Sequence, residues 1–172
     1  MKNDSQLFSF AIDLPVRREW HNIELLRASV QSCFTAVFAD IDGCNALSMV
    51  TGELLENAMK YGAWDSADNS DQTFRLRVVG SQDSTTVTVE NPIGADRSAV
   101  AQLQKTLEWI GSFESSAHAY RARLLEIASA DDEGSGVSRI GLVRVAYEGN
   151  CTLSAEVDGN TLRITAEMSL DH

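Results

Sequence analysis

Three polar residues between Gly52 and Gly62 have types and spacing that could do chemistry. Glu53, Asn57 and Lys60 fall at i, i+4 and i+7. On a helix they share one stripe, opposite the apolar stripe of Leu47, Val50, Leu54, Ala58 and Tyr61. A carboxylate, a neutral amide and an ammonium on one face form a coherent set for a metal–phosphate ligand. Asparagine can offer its carbonyl oxygen to Mg²⁺, which takes hard oxygen ligands and keeps several waters. Glutamate can orient or deprotonate an attacking hydroxyl or water. Lysine can offset phosphate charge. The solvated face of an ordinary amphipathic helix would carry the same residue types, so spacing alone leaves both readings open.

A second candidate is Gly134-Ser135-Gly136, ahead of a helical stretch that runs to about Tyr147. Glycines at a helix start let a phosphate approach the backbone, and the helix dipole favours an anion there. Asp131, Asp132 and Glu133 precede them. These acids would repel a triphosphate unless they face solvent or a cation.

The elements that must position these residues can be read from hydrophobic period and from turn residues. Residues 7–12 alternate as a short strand. A helix over about 16–38, opened by Pro15, repeats apolar residues at Ile23, Leu26, Val30, Phe34 and Val37. Asp40, Asp42 and Gly43 break it. A second helix spans about Ala46 to Tyr61, with Gly62 as its C-cap. Residues 64–72 form a polar loop. Phe74, Leu76 and Val78 alternate with Arg75 and Arg77 as a half-buried strand, and a turn at 81–84 leads to a partner strand over 86–90. Residues 98–128 are helical and divide near Gly111-Ser112. The last stretch, Cys151 to Met168, is a hairpin turning at Asp158-Gly159-Asn160. Strands in hairpins and helices in blocks predict an α+β fold. Its form is a two-layer α/β sandwich with a mixed, mostly antiparallel sheet and helices on one face.

Glu53-Leu54-Leu55-Glu56-Asn57-Ala58-Met59-Lys60-Tyr61 resembles the N-box of the GHKL (Bergerat-fold) ATPase superfamily, closest to the anti-sigma factor serine kinase and histidine-kinase-like branch. The resemblance implies that Asn57 coordinates Mg²⁺ and that Glu53 polarises the nucleophile. The family's second box is Asp-x-Gly-x-Gly after a strand, and its Asp recognises the adenine amine. The matching stretch here is Val87 to Gly94. With Gly94 as the last glycine, Glu90 replaces the Asp and Pro92 replaces the first glycine. Glu90 and Asn91 are then the two candidates for the adenine contact. Pro92 removes an N–H and fixes φ, so this box departs from the family pattern. The stretch Gly134 to Leu142 resembles the Gly-x-Gly-Leu box that closes over phosphate, with Gly134 and Gly136 admitting it. Residues 97–133 take the place of the nucleotide lid. They could serve instead as a docking surface with Trp109 and Phe113 as anchors.

Composition bounds these readings. The 172 residues suit one domain, read here as 1–172. Twenty-five acidic and 14 basic side chains give a formal net charge of −11. That charge argues against nucleic acid and anionic membranes as partners. It leaves room for one local anion site built from backbone N–H groups. No apolar run approaches the length of a bilayer span, no export leader is evident, and three cysteines without a CxxC motif suit a reducing compartment. The expected location is the cytoplasm.

The resemblance therefore implies an ATP-binding regulatory protein with ATP and Mg²⁺ as cofactors. It would be a serine/threonine protein kinase of the anti-sigma type, and its partner a small anti-sigma-antagonist-like protein or a sigma factor. A homodimer is left open. The alternative is a degenerate, non-catalytic docking module of the same fold. A detached histidine-kinase catalytic domain is a third reading, which would require a separate partner bearing the phospho-acceptor histidine.

Overall fold

A computed structural model of the chain describes residues 9–38, 40–64, 72–81, 83–129 and 140–169. The element order is β1 (Ser9–Arg17), α1 (Trp20–Phe38), α2 (Ile41–Tyr61), β2 (Thr73–Ser81), β3 (Ser84–Pro92), α3 (Ser98–Gly111), α4 (Ser116–Ser129), α5 (Gly141–Glu148), β4 (Cys151–Asp158) and β5 (Thr161–Ser169). The five strands form one sheet in the order β1-β2-β3-β5-β4. Every pairing among the described residues is antiparallel. The result is the expected α+β sandwich of two layers.

Alternation along the strands decides which face of the sheet is covered. Phe74, Leu76 and Val78 of β2, Val87 and Val89 of β3, and Leu162, Ile164 and Ala166 of β5 all point to the helical layer and are buried. They meet Val30 and Phe34 of α1 and Leu47, Val50, Leu54 and Leu55 of α2 in one apolar cluster. The intervening residues form a polar outer face. There Asp13 accepts from Arg75 Nε at 2.6 Å and from Arg77 Nη2 at 3.1 Å. These bonds, chiefly the one from Arg75, hold the Asp13 carboxyl below its usual range against the opposing effect of desolvation.

Two boundaries differ from the sequence reading, each for a physical reason. Strand β1 continues through Pro15 to Arg17, where a helix was expected from about residue 16. It is an edge strand, and a residue lacking an N–H is tolerated on its unpaired side. Helix α2 starts at Ile41 rather than near Ala46, because the Asp40 side chain accepts from the backbone N–H groups of Asp42 and Gly43. The first helix does end before these residues, at Phe38, and Asp40 caps the second. Gly62 does end α2, but with extended φ and ψ of −70° and 148° rather than a left-handed conformation. The need for glycine there is space: a Cβ would meet the indole of Trp64, which folds back to donate from Nε1 to Met59 O at 3.0 Å. The hairpin turn at 159–160 is as expected, with Gly159 at φ +56°.

The thiols are free. Cys44 and Cys151 are buried and Cys33 is exposed. Burial pushes the Cys151 thiol up to about 12, so it is inert at neutral pH. Among the described residues, no helix is long and apolar enough to cross a membrane.

Replacing Asp40 with alanine removes the acceptor for two orphan N–H groups of the helix that carries Asn57. The expected loss is about 1 kcal/mol. It should appear as a lower urea midpoint with an unchanged slope.

Candidate functional site

Helix α2 is the most deeply set helix of the layer. Its residues Leu54, Leu55, Asn57, Ala58 and Met59 are all buried. Asn57 is 8% exposed, and its buried Nδ2 has no hydrogen-bond partner among the described residues. An unsatisfied amide nitrogen in that position costs free energy unless a ligand or water meets it. Asn57 borders a cavity of about 390 Å³. Helix α2 contributes Asn57 and Tyr61, β3 contributes Asn91 and the following Ile93, and β5 contributes Leu162 and Ile164. Helix α3 forms the wall that faces these elements, through Ser98, Gln102, Leu103 and Thr106, and α5 adds Leu142. The volume lies within the range of small-molecule sites, and the mixture of aliphatic walls with a few polar groups is typical of them.

The strand period separates the two candidates for the adenine contact. Asn91 points to the helical layer, is 2% exposed and lines the cavity. Its Nδ2 donates to Pro92 O at 3.2 Å, which leaves its Oδ1 to accept. Glu90, one residue earlier, points to the outer face. There Arg163 Nε donates to Glu90 Oε1 at 2.7 Å, across the register pair Glu90–Arg163. The structure thus does not bring Glu90 to Asn57, because successive strand residues face opposite ways.

Pro92 is accommodated because the pairing of β3 with β2 ends at Glu90, while the pairing with β5 runs on to Pro92. The Pro92 carbonyl accepts from Ala63 N at 2.8 Å, which ties the end of β3 to the end of α2.

The other candidates are placed as follows. Glu53 lies one turn before Asn57 but does not line the cavity; it packs against α5, where Arg144 Nη1 donates to its Oε1 at 3.4 Å. Lys60 pairs with Glu56 on its own helix at 3.2 Å and also lies outside the lining. Gly94 adjoins the cavity-lining Ile93, and a Cβ there would make only an ordinary contact with Ala63 at 3.5 Å. Its backbone is not left-handed. Gly134 and Gly136, like Asp131, Asp132 and Glu133, fall outside the described residues. The proposed docking anchors are engaged within the chain: Trp109 and Phe113 pack edge to face at 4.7 Å, and the Arg123 guanidinium lies 4.1 Å above Trp109.

Sequence reasoning did not single out Ser98, Gln102 or Thr106. They recur at helical spacing, which is the one signal that could have marked them as a shared face. Ser98 is fixed by Asp96, whose carboxylate accepts from both its N–H and its hydroxyl at 2.9 and 3.0 Å. Arg144 was also missed, since its partner Glu53 lies 91 residues away.

No family model matches the sequence, and no curated protein matches it. Solved structures do match. One is a chain of the SiaB–SiaC complex from Pseudomonas aeruginosa, seen in a crystal structure, with a TM-score of 0.66 and 17% sequence identity. The alignment covers 92% of this chain and 88% of that one. At this identity the likeness establishes a related fold.

Glu53 is the group in the site whose proton affinity is most instructive. Burial pushes its carboxyl above the ordinary 4.5 and Glu56 adds to the effect, while Arg144, Lys60 and Arg27 pull the other way. A carboxyl raised in the folded state favours folding when protonated and opposes it when ionised. Glu53→Gln keeps the shape and removes the charge. It should therefore stabilise the protein at pH 7, and the gain should disappear as pH falls below 4.5, where wild-type Glu53 is neutral in both states. Thermal unfolding of the pair at pH 4 and pH 7 checks this.

Proposed function

We propose that this chain is an ATP-binding regulatory protein of the GHKL type that works by partner switching. In that reading it binds MgATP and a small antagonist protein, and transfers the γ-phosphoryl group to a serine or threonine of that partner. The observation that carries the nucleotide reading is the pairing of Asn57 with Asn91 at one cavity. Asn57 brings a buried amide whose Nδ2 lacks a partner among the described residues, and Asn91 brings an acceptor oxygen suited to an exocyclic amine. The resemblance assigns the metal–phosphate contact to Asn57 and leaves Asn91 as one of two candidates, with Glu90, for the adenine contact. The related fold of a chain from the SiaB–SiaC complex supports a role exercised through a protein partner.

The residues present fit the adenosine part of the ligand. The lining mixes aliphatic and neutral polar side chains and encloses a volume of ligand size. Asn57 would hold Mg²⁺ through its carbonyl oxygen, and the ion would supply charge neutralisation for the phosphates. Asn91, rather than Glu90, would read the adenine amine. Glu53 would orient the attacking hydroxyl, a task for which a raised carboxyl pKa is suited. Catalysis in such a site is mainly positioning and electrostatics.

One observation favours a second reading, a docking module without turnover. No cationic side chain lines the cavity among the described residues, and Lys60 is engaged by Glu56. A module of that kind should hold its partner equally with and without MgATP.

Calorimetric titration of MgATP into the full chain tests the first reading. Asn57→Ala and Asn91→Ala should each weaken binding about tenfold or more, equivalent to about 1.4 kcal/mol. Glu90→Ala should stay within about twofold, since it removes an ion pair on the far face of the sheet, and exposed pairs are worth little. Undiminished affinity in the Asn57→Ala protein overturns the assignment.

A further inference from the structure

Glu53 and Asn57 are one helical turn apart on α2, yet only Asn57 lines the cavity. Glu53 is seated on α5 instead. A Cβ at Gly141 would meet its Oε2, so the absence of a side chain there makes room for the carboxylate. The first turn of α5 is also a favourable place for negative charge. Arg144, one turn further along, donates to Glu53 Oε1 at 3.4 Å.

Arg144 has a nearer acid. Its Nε donates to Glu148 Oε2 at 2.8 Å, and the other oxygen of Glu148 accepts from Tyr120 Oη of α4 at 3.2 Å. The Tyr120 ring stacks on Tyr147 at 4.9 Å. The distance to Glu148 is that of a charge-assisted hydrogen bond, whereas the distance to Glu53 lies at the long limit. One guanidinium is therefore shared unequally between two carboxylates, one on α2 and one on its own helix. The other charged groups near Glu53 are Glu56 and Lys60 on α2 and Arg27 on α1. Lys60 is paired with Glu56 and Arg27 with Glu24. Among the described residues, Arg144 is the cation that hydrogen-bonds Glu53.

We propose that Arg144 is a positioning residue for Glu53: it draws the carboxylate onto α5 and away from the cavity, and Glu148 sets how strongly it does so. The proposal rests on the reading of Glu53 as the group that orients the attacking hydroxyl. A carboxylate engaged by a guanidinium is a weaker acceptor for a hydroxyl. Whatever moves Glu148, including its contact with α4 through Tyr120, thus changes the freedom of Glu53.

The test uses the full chain labelled with carboxyl-¹³C glutamate. The Glu53 resonance is identified by its disappearance in Glu53→Gln and is then followed through a pH titration. Arg144→Gln should raise the midpoint of Glu53 by about half a pH unit or more, through loss of an adjacent positive charge. Arg144→Lys should restore part of the shift. Glu148→Gln should lower the midpoint, because the guanidinium loses its rival acceptor. All of these side chains are partly exposed, so the variants should fold. Gly141→Ala gives a second handle. It places a better helix former in α5, so stability should be kept or raised while the Glu53 resonance moves. Opposite shifts in Arg144→Gln and Glu148→Gln are the expected result, since the first removes the cation that holds Glu53 and the second removes the acid that competes for that cation. Shifts of the same sign, no shift in either, or an unmoved resonance in Gly141→Ala would overturn the proposal. None of these readouts needs nucleotide. A chain that shows the opposite shifts but takes up no MgATP therefore overturns the reading of the preceding section and leaves the hold of Arg144 on Glu53 standing.

Discussion

The burial of α2 against the centre of the sheet is the constraint on which the rest of the molecule depends. Leu47, Val50, Thr51, Leu54 and Leu55 are fully enclosed, and Ala58 is nearly so. A helix held on so many sides has a fixed rotation and a fixed axial position. Asn57 therefore cannot turn away from its neighbours, even though its amide nitrogen goes unpaired there. Burying such a group without a partner is unfavourable by an amount that one well-packed aliphatic side chain can offset. The surrounding leucines and valines thus supply the packing energy that keeps a polar group where a ligand could use it.

The same enclosure explains how the polar residues of α2 divide. The stripe Glu53, Asn57 and Lys60 does exist, but its three members end in three surroundings. Asn57 sits little more than a turn from the end of α2, beside the cavity that α3 walls. Lys60, near the open end, reaches back to Glu56 with both side chains more than a third exposed. Glu53 meets α5. Helical spacing can show that three residues share a face, but not which tertiary neighbour each will meet. The neighbours of Asn57 and Glu53 come from segments about 35 to 90 residues away.

Much of the fold was legible in the sequence, because it is written in local periods. Leu76 and Val78 alternating with Arg75 and Arg77 fixed a half-buried strand, and Asp158-Gly159-Asn160 fixed a hairpin. The errors fall where tertiary context overrides a local signal. Pro15 reads as a helix start, but on an edge strand its missing N–H is harmless. Gly62 reads as a left-handed cap, but the indole of Trp64 demands it instead. Of the candidate site, Asn57 was legible from its box. The choice between Glu90 and Asn91 was not, because it depends on which face of β3 is covered, and that is a property of the whole sheet. Arg144 left no mark at all, being a surface arginine whose meaning comes only from the side chain it meets.

Charge sets a final condition on any anionic ligand. The chain carries a formal charge of −11, and the described lining of the cavity carries no cation. Long-range attraction cannot then bring a triphosphate to this site, since screening limits such fields to about 8 Å at physiological ionic strength and the net field has the wrong sign. Affinity would have to come from short-range terms: burial of the base, hydrogen bonds to Asn91, backbone N–H groups, and a divalent ion that travels with the phosphates. An ionised Glu53 turned freely toward the phosphates would repel them. Seating it on α5 beside Arg144 removes that repulsion from the cavity. The arrangement that holds the carboxylate away from a hydroxyl is thus also the one that lets an anion enter. Were the proposed transfer to occur here, binding and reaction would call for different positions of the same side chain.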